Sequence, residues 1–267
     1  MSTSTRVTTS PLAHHESVWD VVGAHIYDAF LALGEHRGMA TRRAALLADA
    51  RGTVLEIGAG TGTNLAAYGA VDRLILTEPA ATMRGLLTRR VIGDRAEAVV
   101  VDAGAADLPV RSGSVDTVVS TMVLCTVPDM DAALSEIVRV LRPGGRFLFV
   151  EHVRAPEGSP LRRWQERLVD PWAAFAMGCR CDRDIVGAIG RHLDVDEIRA
   201  EQWLGMPALV RPLVVGTASP KPERPPRSRV DVASLARPSN PHRNPHSALA
   251  LQWRACRFPT PTPPSRG

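Results

Sequence analysis

Apolar and polar residues alternate along the middle of the chain in blocks that change period. Five short apolar runs predict β-strands, and they lie at residues 53–57, 73–77, 97–101, 115–120 and 146–150. Between them, apolar residues at spacings of three and four predict helices over residues 83–90 and 130–142. The second helix is expected to end at the Pro-Gly-Gly of 143–145. Because strands and helices alternate with short connections, we predict an α/β fold with a mostly parallel sheet and helices on both faces.

The chain before the first strand is predicted to form a helical cover. Over residues 15–50, apolar side chains recur at every fourth position, at Val18, Val22, Ile26 and Phe30. Residues 1–14, which begin Ser/Thr-rich, show no such period, so we expect a flexible N-terminus there.

A second cover is predicted over residues 153–190, after the fifth strand. Ser159 followed by Pro160 is typical of a helix start. One face of that helix carries four large apolar side chains, Trp164, Leu168, Trp172 and Phe175. Two interpretations stay open: the face packs on the sheet as core, or Trp164 and Trp172 wall an apolar ligand pocket.

The end of the chain divides into a last pair of strands and a tail. Residues 194–200 and 208–216 are predicted to pair antiparallel, which gives a Rossmann-like, doubly wound, seven-stranded sheet. The folded domain then spans residues 15–218. Residues 219–267 hold 11 of the 21 prolines and no sustained period, so we predict a disordered Pro/Arg-rich tail.

The charge of the chain sits mainly in that tail. The formal net charge of +4 and the pI of about 9.2 suit a nucleic-acid or membrane-surface partner. However, residues 219–267 contain nine Lys/Arg and two acids, so they carry +7 and the other 218 residues carry −3. We therefore expect no nucleic-acid partner for the folded domain.

Cysteine spacing and hydropathy indicate a reduced, soluble protein. None of the four cysteines forms a Cys-x-x-Cys pair, and Cys179 and Cys181 are too close for the usual zinc spacing, so no metal is predicted. Cys125 is expected to be a small buried side chain, while Cys179 and Cys181 either line a pocket or pack. No secretory signal and no apolar window of about 18 residues is visible, so we predict a cytoplasmic protein without stable membrane insertion. The oligomeric state is left open.

A glycine-rich loop follows the first strand and precedes a predicted helix. Gly58-Ala59-Gly60-Thr61-Gly62 lets the backbone turn tightly and approach a ligand closely. Position 63 is Thr, so the dinucleotide pattern G-x-G-x-x-G fails, and no Lys-Ser/Thr pair follows as in a P-loop. Glu78 ends the second strand 20 residues after Gly58, where an acid accepts hydrogen bonds from both ribose hydroxyls of an adenosine.

The sequence resembles a known family in five segments. Five segments carry the resemblance: VLEIGAGTG, the acid of LTEP, DLPVRSGSVDTVVSTMVLCTV, EIVRVLRPGG and FLFVEHV. Together they are similar to class I S-adenosyl-L-methionine (SAM) methyltransferases over about residues 15–219. STMVLCTVPD and GCRCDRD narrow the resemblance to the methyltransferase-like group that includes thiol S-methyltransferases and ubiquinone/menaquinone-type enzymes.

The resemblance implies a set of residues around SAM. The glycine loop would lie under the methionyl and ribose parts, Glu78 would hold the ribose, and Met122 would close over the methionine. The implied cofactor-binding residues are Tyr27, Glu56, Gly58, Ala59, Gly60, Gly62, Asn64, Glu78, Pro79, Asp102, Gly104, Ala105 and Met122. Ala106 stands where the family has Glu near the adenine, so Asp102 or the backbone of 104–106 would have to replace that contact.

His152 is the predicted catalytic residue. SAM carries an activated methyl group, so positioning and desolvation of the acceptor supply most of the catalysis. His152 follows the fifth strand, whose carboxyl end faces the ligand crevice, and it titrates near neutral pH. It would act as a base or orient the acceptor; the alternative is a histidine that only bonds a neighbouring loop. Glu151 is expected to face the other way along the strand.

Several functions stay open on sequence alone. We favour an enzyme that methylates a small, fairly apolar molecule, a thiol or another S, N or O nucleophile, with Trp164 and Trp172 as substrate-binding residues. Methylation of a quinone ring or phospholipid headgroup is the nearest rival, and a non-catalytic SAM-binding regulator is the rival of another class. Nucleic-acid methylation is disfavoured because the Asn/Asp-Pro-Pro-Tyr motif is missing.

Overall fold

A computed structural model describes residues 18–95 and 97–222. Six α-helices lie within them, at α1 (Val18–Gly34), α2 (Ala40–Leu47), α3 (Ala81–Asp94), α4 (Met130–Val140), α5 (Pro160–Phe175) and α6 (Ile185–His192). Seven strands lie at β1 (Thr53–Ile57), β2 (Arg73–Thr77), β3 (Val99–Val101), β4 (Val115–Thr121), β5 (Leu141–His152), β6 (Leu193–Gln202) and β7 (Pro212–Pro220). The predicted flexible N-terminus and the predicted tail beyond Pro222 lie outside the described residues.

The strands form one sheet in the order β3-β2-β1-β4-β5-β7-β6. Strands β1 to β5 are parallel, and β7 runs antiparallel to both β5 and β6. The order reverses between β1 and β4, the position at which doubly wound sheets bind ligands. The predicted seven-stranded, mostly parallel Rossmann-like sheet is confirmed.

The helix α4 ends earlier than its sequence predicts. It stops at Val140, and Leu141 already pairs with Val115 of β4. The prediction had continued the helix to Arg142 and ended it at the Pro-Gly-Gly segment, which instead lies inside β5. Because a residue before proline disfavours helical backbone, the chain becomes extended ahead of Pro143.

The apolar face of α1 lies on the outside of the described domain. The four residues whose spacing predicts this helix are all exposed, with Val18 83% and Phe30 39% accessible. Among the positions of α1 whose burial the structure describes, Ala24, Leu31 and Gly34 are buried. The four-residue spacing therefore predicted that a helix forms here. It did not predict which face of the helix packs against the domain. A kinked turn, Glu35–Met39, with Gly38 at a φ of 114°, leads into α2.

The helix α5 also turns a different face inward than predicted. Trp164 is 53% and Phe175 50% exposed, so the interpretation of this face as core is wrong. The helix buries Gln165 and Val169 instead. The Gln165 side chain accepts from Ala155 N at 2.7 Å and donates to Leu209 O at 2.8 Å and Val153 O at 3.3 Å. Since buried backbone groups need partners, these bonds fix the rotation of the helix.

Replacing Gln165 with leucine should destabilise the protein by about 3 kcal/mol, because one N–H and two carbonyl groups lose a buried partner. Trp164→Ala, one residue away on the exposed face, should cost less than about 1 kcal/mol. Urea unfolding of both variants checks the pair. A larger loss for Trp164→Ala would contradict this orientation of the helix.

The last two strands confirm the predicted antiparallel pair with shifted bounds. A short 3-10 turn occupies Ala208–Val210, and β7 begins only at Pro212. Ser219 and Pro220, which the prediction assigned to the tail, belong to this strand, because they pair with Asp194 and Leu193 of β6. Within residues 18–95 and 97–222, no helix combines the length and apolar content that a bilayer crossing requires.

Candidate active site

The predicted site residues gather at the carboxyl ends of the parallel strands. The glycine loop follows β1, Glu78 follows β2, Asp102 follows β3 and Met122 follows β4. Parallel pairing brings these ends to one edge of the sheet, with Glu78 N donating to Val101 O at 3.1 Å. The edge lies at the switch point between β1 and β4, where open α/β sheets bind ligands.

Three glycines shape the loop after β1. Gly58, Gly60 and Gly62 have φ values of 55°, 58° and 88°, a region that side chains disfavour. A Cβ on Gly58 would also lie 2.9 Å from both methyl groups of Val123, in the loop after β4. Glycine therefore lets these two loops touch. The predicted helix after the loop is reduced to a 3-10 turn at Leu65–Ala67.

Glu78 binds the glycine loop directly. Its carboxylate accepts from Gly60 N at 2.8 Å and from Ala80 N at 2.9 Å, and the side chain is 7% exposed. The backbone oxygens of Glu78 and Pro79 accept from Arg84, which also pairs with Asp102 at 3.0 Å. The spacing of Glu78 from Gly58 predicts that this acid lies against the loop, and hydrogen bonds hold it there. Gly104 and Ala105 follow Asp102 in the same connection, and Gly104 O accepts from Asp107 N.

A buried polar network supports the loop from below. Asn64 donates to Glu56 at 2.9 Å and accepts from Arg43 at 2.8 Å, and Tyr68 donates to the other oxygen of Glu56 at 2.7 Å. Arg43 also pairs with Glu35 at 2.9 Å, so the network joins the N-terminal cover to the loop. Sequence reasoning missed Arg43 and Tyr68, because neither belongs to a motif of recognisable spacing.

Glu56 should make stability depend on pH. Burial raises its pKa from the ordinary 4.5 to about 7, against the bonds from Tyr68 and Asn64 and the charge of Arg43, while Glu78 raises it further. The folded state thus keeps a proton that the unfolded chain releases, and this stabilisation is present below about pH 4.5 and lost as pH rises through about 7.

Glu56→Gln keeps the shape without the charge. Urea unfolding should be measured near pH 5 and near pH 7.5. From the lower to the higher pH, the free energy of unfolding of the variant should rise by about 2 kcal/mol relative to that of the wild type. A difference between the two proteins that stays constant with pH would contradict the assignment.

The helix α1 covers this edge of the sheet. Thr61 donates to Asp28 at 2.6 Å, and Arg90 of α3 pairs with the same carboxylate at 2.5 Å. Burial raises the pKa of Tyr27. The charge of Arg43 lowers this pKa, whereas the thiol of Cys125 and the charge of Glu78 raise it. A cavity of about 360 Å³, lined by Asp28, Gly62 and Arg90 among others, opens between α1 and the loop.

The loop after β4 is held by Glu151. Met122 has a φ of 59°, rare for a side chain of this size. Glu151 accepts from Ser120 Oγ at 2.6 Å, Val123 N at 3.1 Å and Leu124 N at 3.2 Å. Burial raises the pKa of Glu151. Glu151 therefore positions the loop that carries Met122, while the adjacent His152 contacts a different group.

His152 contacts a cysteine from the second cover. Its Nε2 lies 3.0 Å from Cys179 Sγ, and Trp172 Nε1 donates to the same sulfur at 3.1 Å. The Cys125 thiol, 1% exposed as expected of a buried side chain, completes the group. Cys181 is buried outside it.

These contacts stabilise an anionic sulfur. The hydrogen bond from Cys125, the charge and hydrogen bond of His152 and the bond from Trp172 together lower the pKa of Cys179 to about 4. Although burial opposes it, the Cys179 thiolate in turn raises the pKa of His152. Sequence reasoning found His152 and Trp172 but not their contact, because Cys179 has no motif to mark it. Trp164, the other predicted substrate residue, lies on the exposed face of α5.

Known proteins resemble this chain in sequence. A family model described as a methyltransferase domain matches residues 55–149. The chain is 36% identical to thiol S-methyltransferase TMT1A of Homo sapiens over 174 residues, which cover 62% of this chain and 70% of that relative. It is also 36% identical to demethylmenaquinone methyltransferase of Clavibacter sepedonicus over 118 residues, which cover 43% of this chain and 46% of that relative.

Solved structures share the fold. One is a SAM-dependent methyltransferase of Thermotoga maritima, described as a possible histamine N-methyltransferase, with a TM-score of 0.58 and 20% identity over 76% of this chain and 98% of that one. Another is geranyl diphosphate C-methyltransferase of Streptomyces coelicolor, bound to Mg²⁺, geranyl diphosphate and S-adenosyl-L-homocysteine, with a TM-score of 0.56 and 17% identity over 73% of this chain and 84% of that one. At these identities the likeness concerns the fold.

Proposed function

The chain belongs to the SAM-dependent methyltransferases, and on that premise we propose that it transfers the methyl group of SAM to a small, fairly apolar acceptor, with a thiol favoured. The observation that carries the choice of a thiol is the 36% identity to a thiol S-methyltransferase. In this chain His152 and Trp172 bond the sulfur of Cys179, so the surroundings of His152 favour an anionic sulfur.

We propose that SAM lies across the carboxyl ends of β1 to β4. Glu78 would take the ribose hydroxyls in exchange for its bond to Gly60, and Pro79, Asp102, Gly104 and Ala105 would border the adenine. The methionyl part would lie on the glycine loop, near Asn64 and Glu56, with Tyr27 and Met122 over it. Because Arg84 holds Asp102, the backbone of 104–106 would make the polar adenine contact in place of the family's Glu.

The proposed reaction is a direct displacement. The acceptor sulfur attacks the methyl carbon of SAM, a new S–C bond forms, and the broken bond leaves its electron pair on S-adenosyl-L-homocysteine. Since the thiolate is the nucleophile, a position that favours anionic sulfur lowers the barrier. His152 would orient the acceptor sulfur and favour its thiolate form, and Trp172 would wall the acceptor site; the role of Trp164 stays a prediction.

The acceptor class can be tested with methyl-labelled SAM. Initial rates should be compared for benzenethiol, phenol, a reduced quinone and phosphatidylethanolamine vesicles. We expect kcat/KM for the thiol to exceed that for phenol by at least about 10-fold. The pKa of a cysteine thiol is about 1.5 units below that of a tyrosine phenol, so more of a thiol is ionised at neutral pH. Turnover of the quinol or the lipid without turnover of the thiol would contradict the thiol preference.

The quinone-ring or phospholipid alternative rests on the likeness to demethylmenaquinone methyltransferase. It predicts methylation of the quinol or the lipid in the same assay. A regulator without transferase activity would bind SAM and methylate none of the four acceptors. We further propose a cytoplasmic location, since Cys125, Cys179 and Cys181 are free thiols.

A further inference from the structure

Three side chains of the kinds that bind zinc converge from separate segments. Cys125 follows β4, His152 ends β5 and Cys179 follows α5, and their ligand atoms all lie within 4.8 Å of one another. Tetrahedral zinc, with bonds of about 2.0–2.3 Å, places its ligand atoms about 3.3–3.8 Å apart. Small side-chain rotations therefore suffice to bring all three atoms to one ion.

A backbone hydrogen bond ties together the segments that carry the two cysteines of the group. Arg180 N donates to Cys125 O at 2.9 Å, which ties the loop of Cys179 to that of Cys125. His152 Nδ1 is buried and has no hydrogen-bond partner among the residues that the structure describes. The nitrogen that would bind a metal together with the two sulfurs is Nε2, which lies 3.0 Å from Cys179 Sγ, so Nδ1 points away from them.

We propose that Cys125, His152 and Cys179 bind one Zn²⁺, and that its fourth position takes the sulfur of the acceptor thiol. Three protein ligands with one open position is the arrangement of catalytic zinc sites. Of the three, Cys179 is the most exposed, at 7%, and it contacts the half-buried Trp172, so the open position lies toward Trp172. The role of the fourth position rests on the proposed function; the metal site itself does not.

The proposed step balances without a further reactant. An acceptor R–SH binds the zinc as R–S⁻ and releases its proton to solvent, because a coordinated thiol is deprotonated. The bound sulfur then attacks the methyl carbon of SAM, and the C–S bond to the sulfonium breaks with its electron pair on that sulfur. The thioether product is neutral and a weaker ligand than the thiolate, so it leaves the metal.

Metal content tests the site in the full chain, purified without chelators and with a phosphine reductant. We expect about one zinc per chain in the wild type and at least a 10-fold loss in Cys125→Ser and Cys179→Ser, since Cys thiolates are the strongest zinc ligands of the set. Cys181→Ser, a buried cysteine two residues from Cys179, and Cys256→Ser should keep the zinc. A metal-free wild type with intact Cys125 and Cys179 thiols, or equal loss from Cys181→Ser, would overturn the proposal.

Cobalt tests the open position. Co²⁺ in place of zinc should show thiolate-to-metal absorption in the near ultraviolet. Benzenethiol, added in the absence of SAM, should increase this absorption because it supplies a further thiolate ligand. A cobalt spectrum that benzenethiol leaves unchanged would overturn the role of the fourth position.

The two proposals fail in different ways. If the protein methylates a thiol but binds neither zinc nor cobalt, the proposed zinc site is overturned and the proposed function stands. Zinc binding that depends on Cys125 and Cys179, in a protein that methylates no acceptor, would keep the metal site and overturn the function.

Discussion

Replacing Glu78 with alanine is expected to weaken SAM binding by about 1,000-fold. The carboxylate would make two charge-assisted hydrogen bonds to the ribose, each worth about 1.5–3 kcal/mol. In the unliganded protein the same carboxylate holds Gly60 and Ala80, so its loss also loosens the loop on which the methionyl part would lie. Isothermal titration with SAM measures the change directly.

Two controls separate a lost contact from a lost fold. Glu78→Gln keeps the length and one acceptor, so its affinity should fall between those of wild type and Glu78→Ala. Glu97→Ala removes an exposed acid at the amino end of β3, paired only loosely with Arg95 at 3.8 Å, and should bind SAM like the wild type. Unchanged affinity in a folded Glu78→Ala would remove Glu78 from the cofactor site.

Replacing His152 with alanine should lower turnover by about 100-fold and leave SAM affinity within about twofold, since a positioned acid–base group contributes about 10²–10⁴-fold. The variant takes away the charge and the Nε2 contact that favour the thiolate form of Cys179. The proposed cofactor residues lie on the ends of β1 to β4 and on α1, whereas His152 ends β5. The two effects should therefore separate.

His192→Ala provides the matched control. His192 pairs with Asp131 at 2.8 Å on the surface, so its loss should leave turnover unchanged. Steady-state rates with benzenethiol and SAM titrations on both variants complete the comparison. Wild-type turnover by His152→Ala, or a parallel loss of SAM affinity, would exclude His152 from catalysis.

The sequence predicted the parts of the fold that depend on short-range pattern. The strands β1 and β2 appear at their predicted bounds, because continuous apolar runs between turns have few other solutions in a sheet covered on both faces. The glycine loop and Glu78 were predicted to meet because parallel strands end at one edge of the sheet. Both inferences needed only local sequence and the topology.

The orientation of the covering helices could not be predicted in the same way. In α1 and α5 the apolar stripe lies outside, and Gln165 is buried because backbone groups far along the chain need its amide. Apolar spacing records which residues share a face and carries no information on what that face meets. The contact of His152 with Cys179 joins segments 27 residues apart, and neither position has a motif that pairs it with the other.

Transfer of a deuterated methyl group from SAM to benzenethiol tests the central claim most directly. In a single turnover with enzyme in excess, mass spectrometry should find the methyl thioether carrying all three deuterium atoms, with one S-adenosyl-L-homocysteine per product. SAM that binds and yields no labelled thioether, while a quinol or phosphatidylethanolamine takes up the label or no acceptor does, would contradict the proposed thiol methyltransferase.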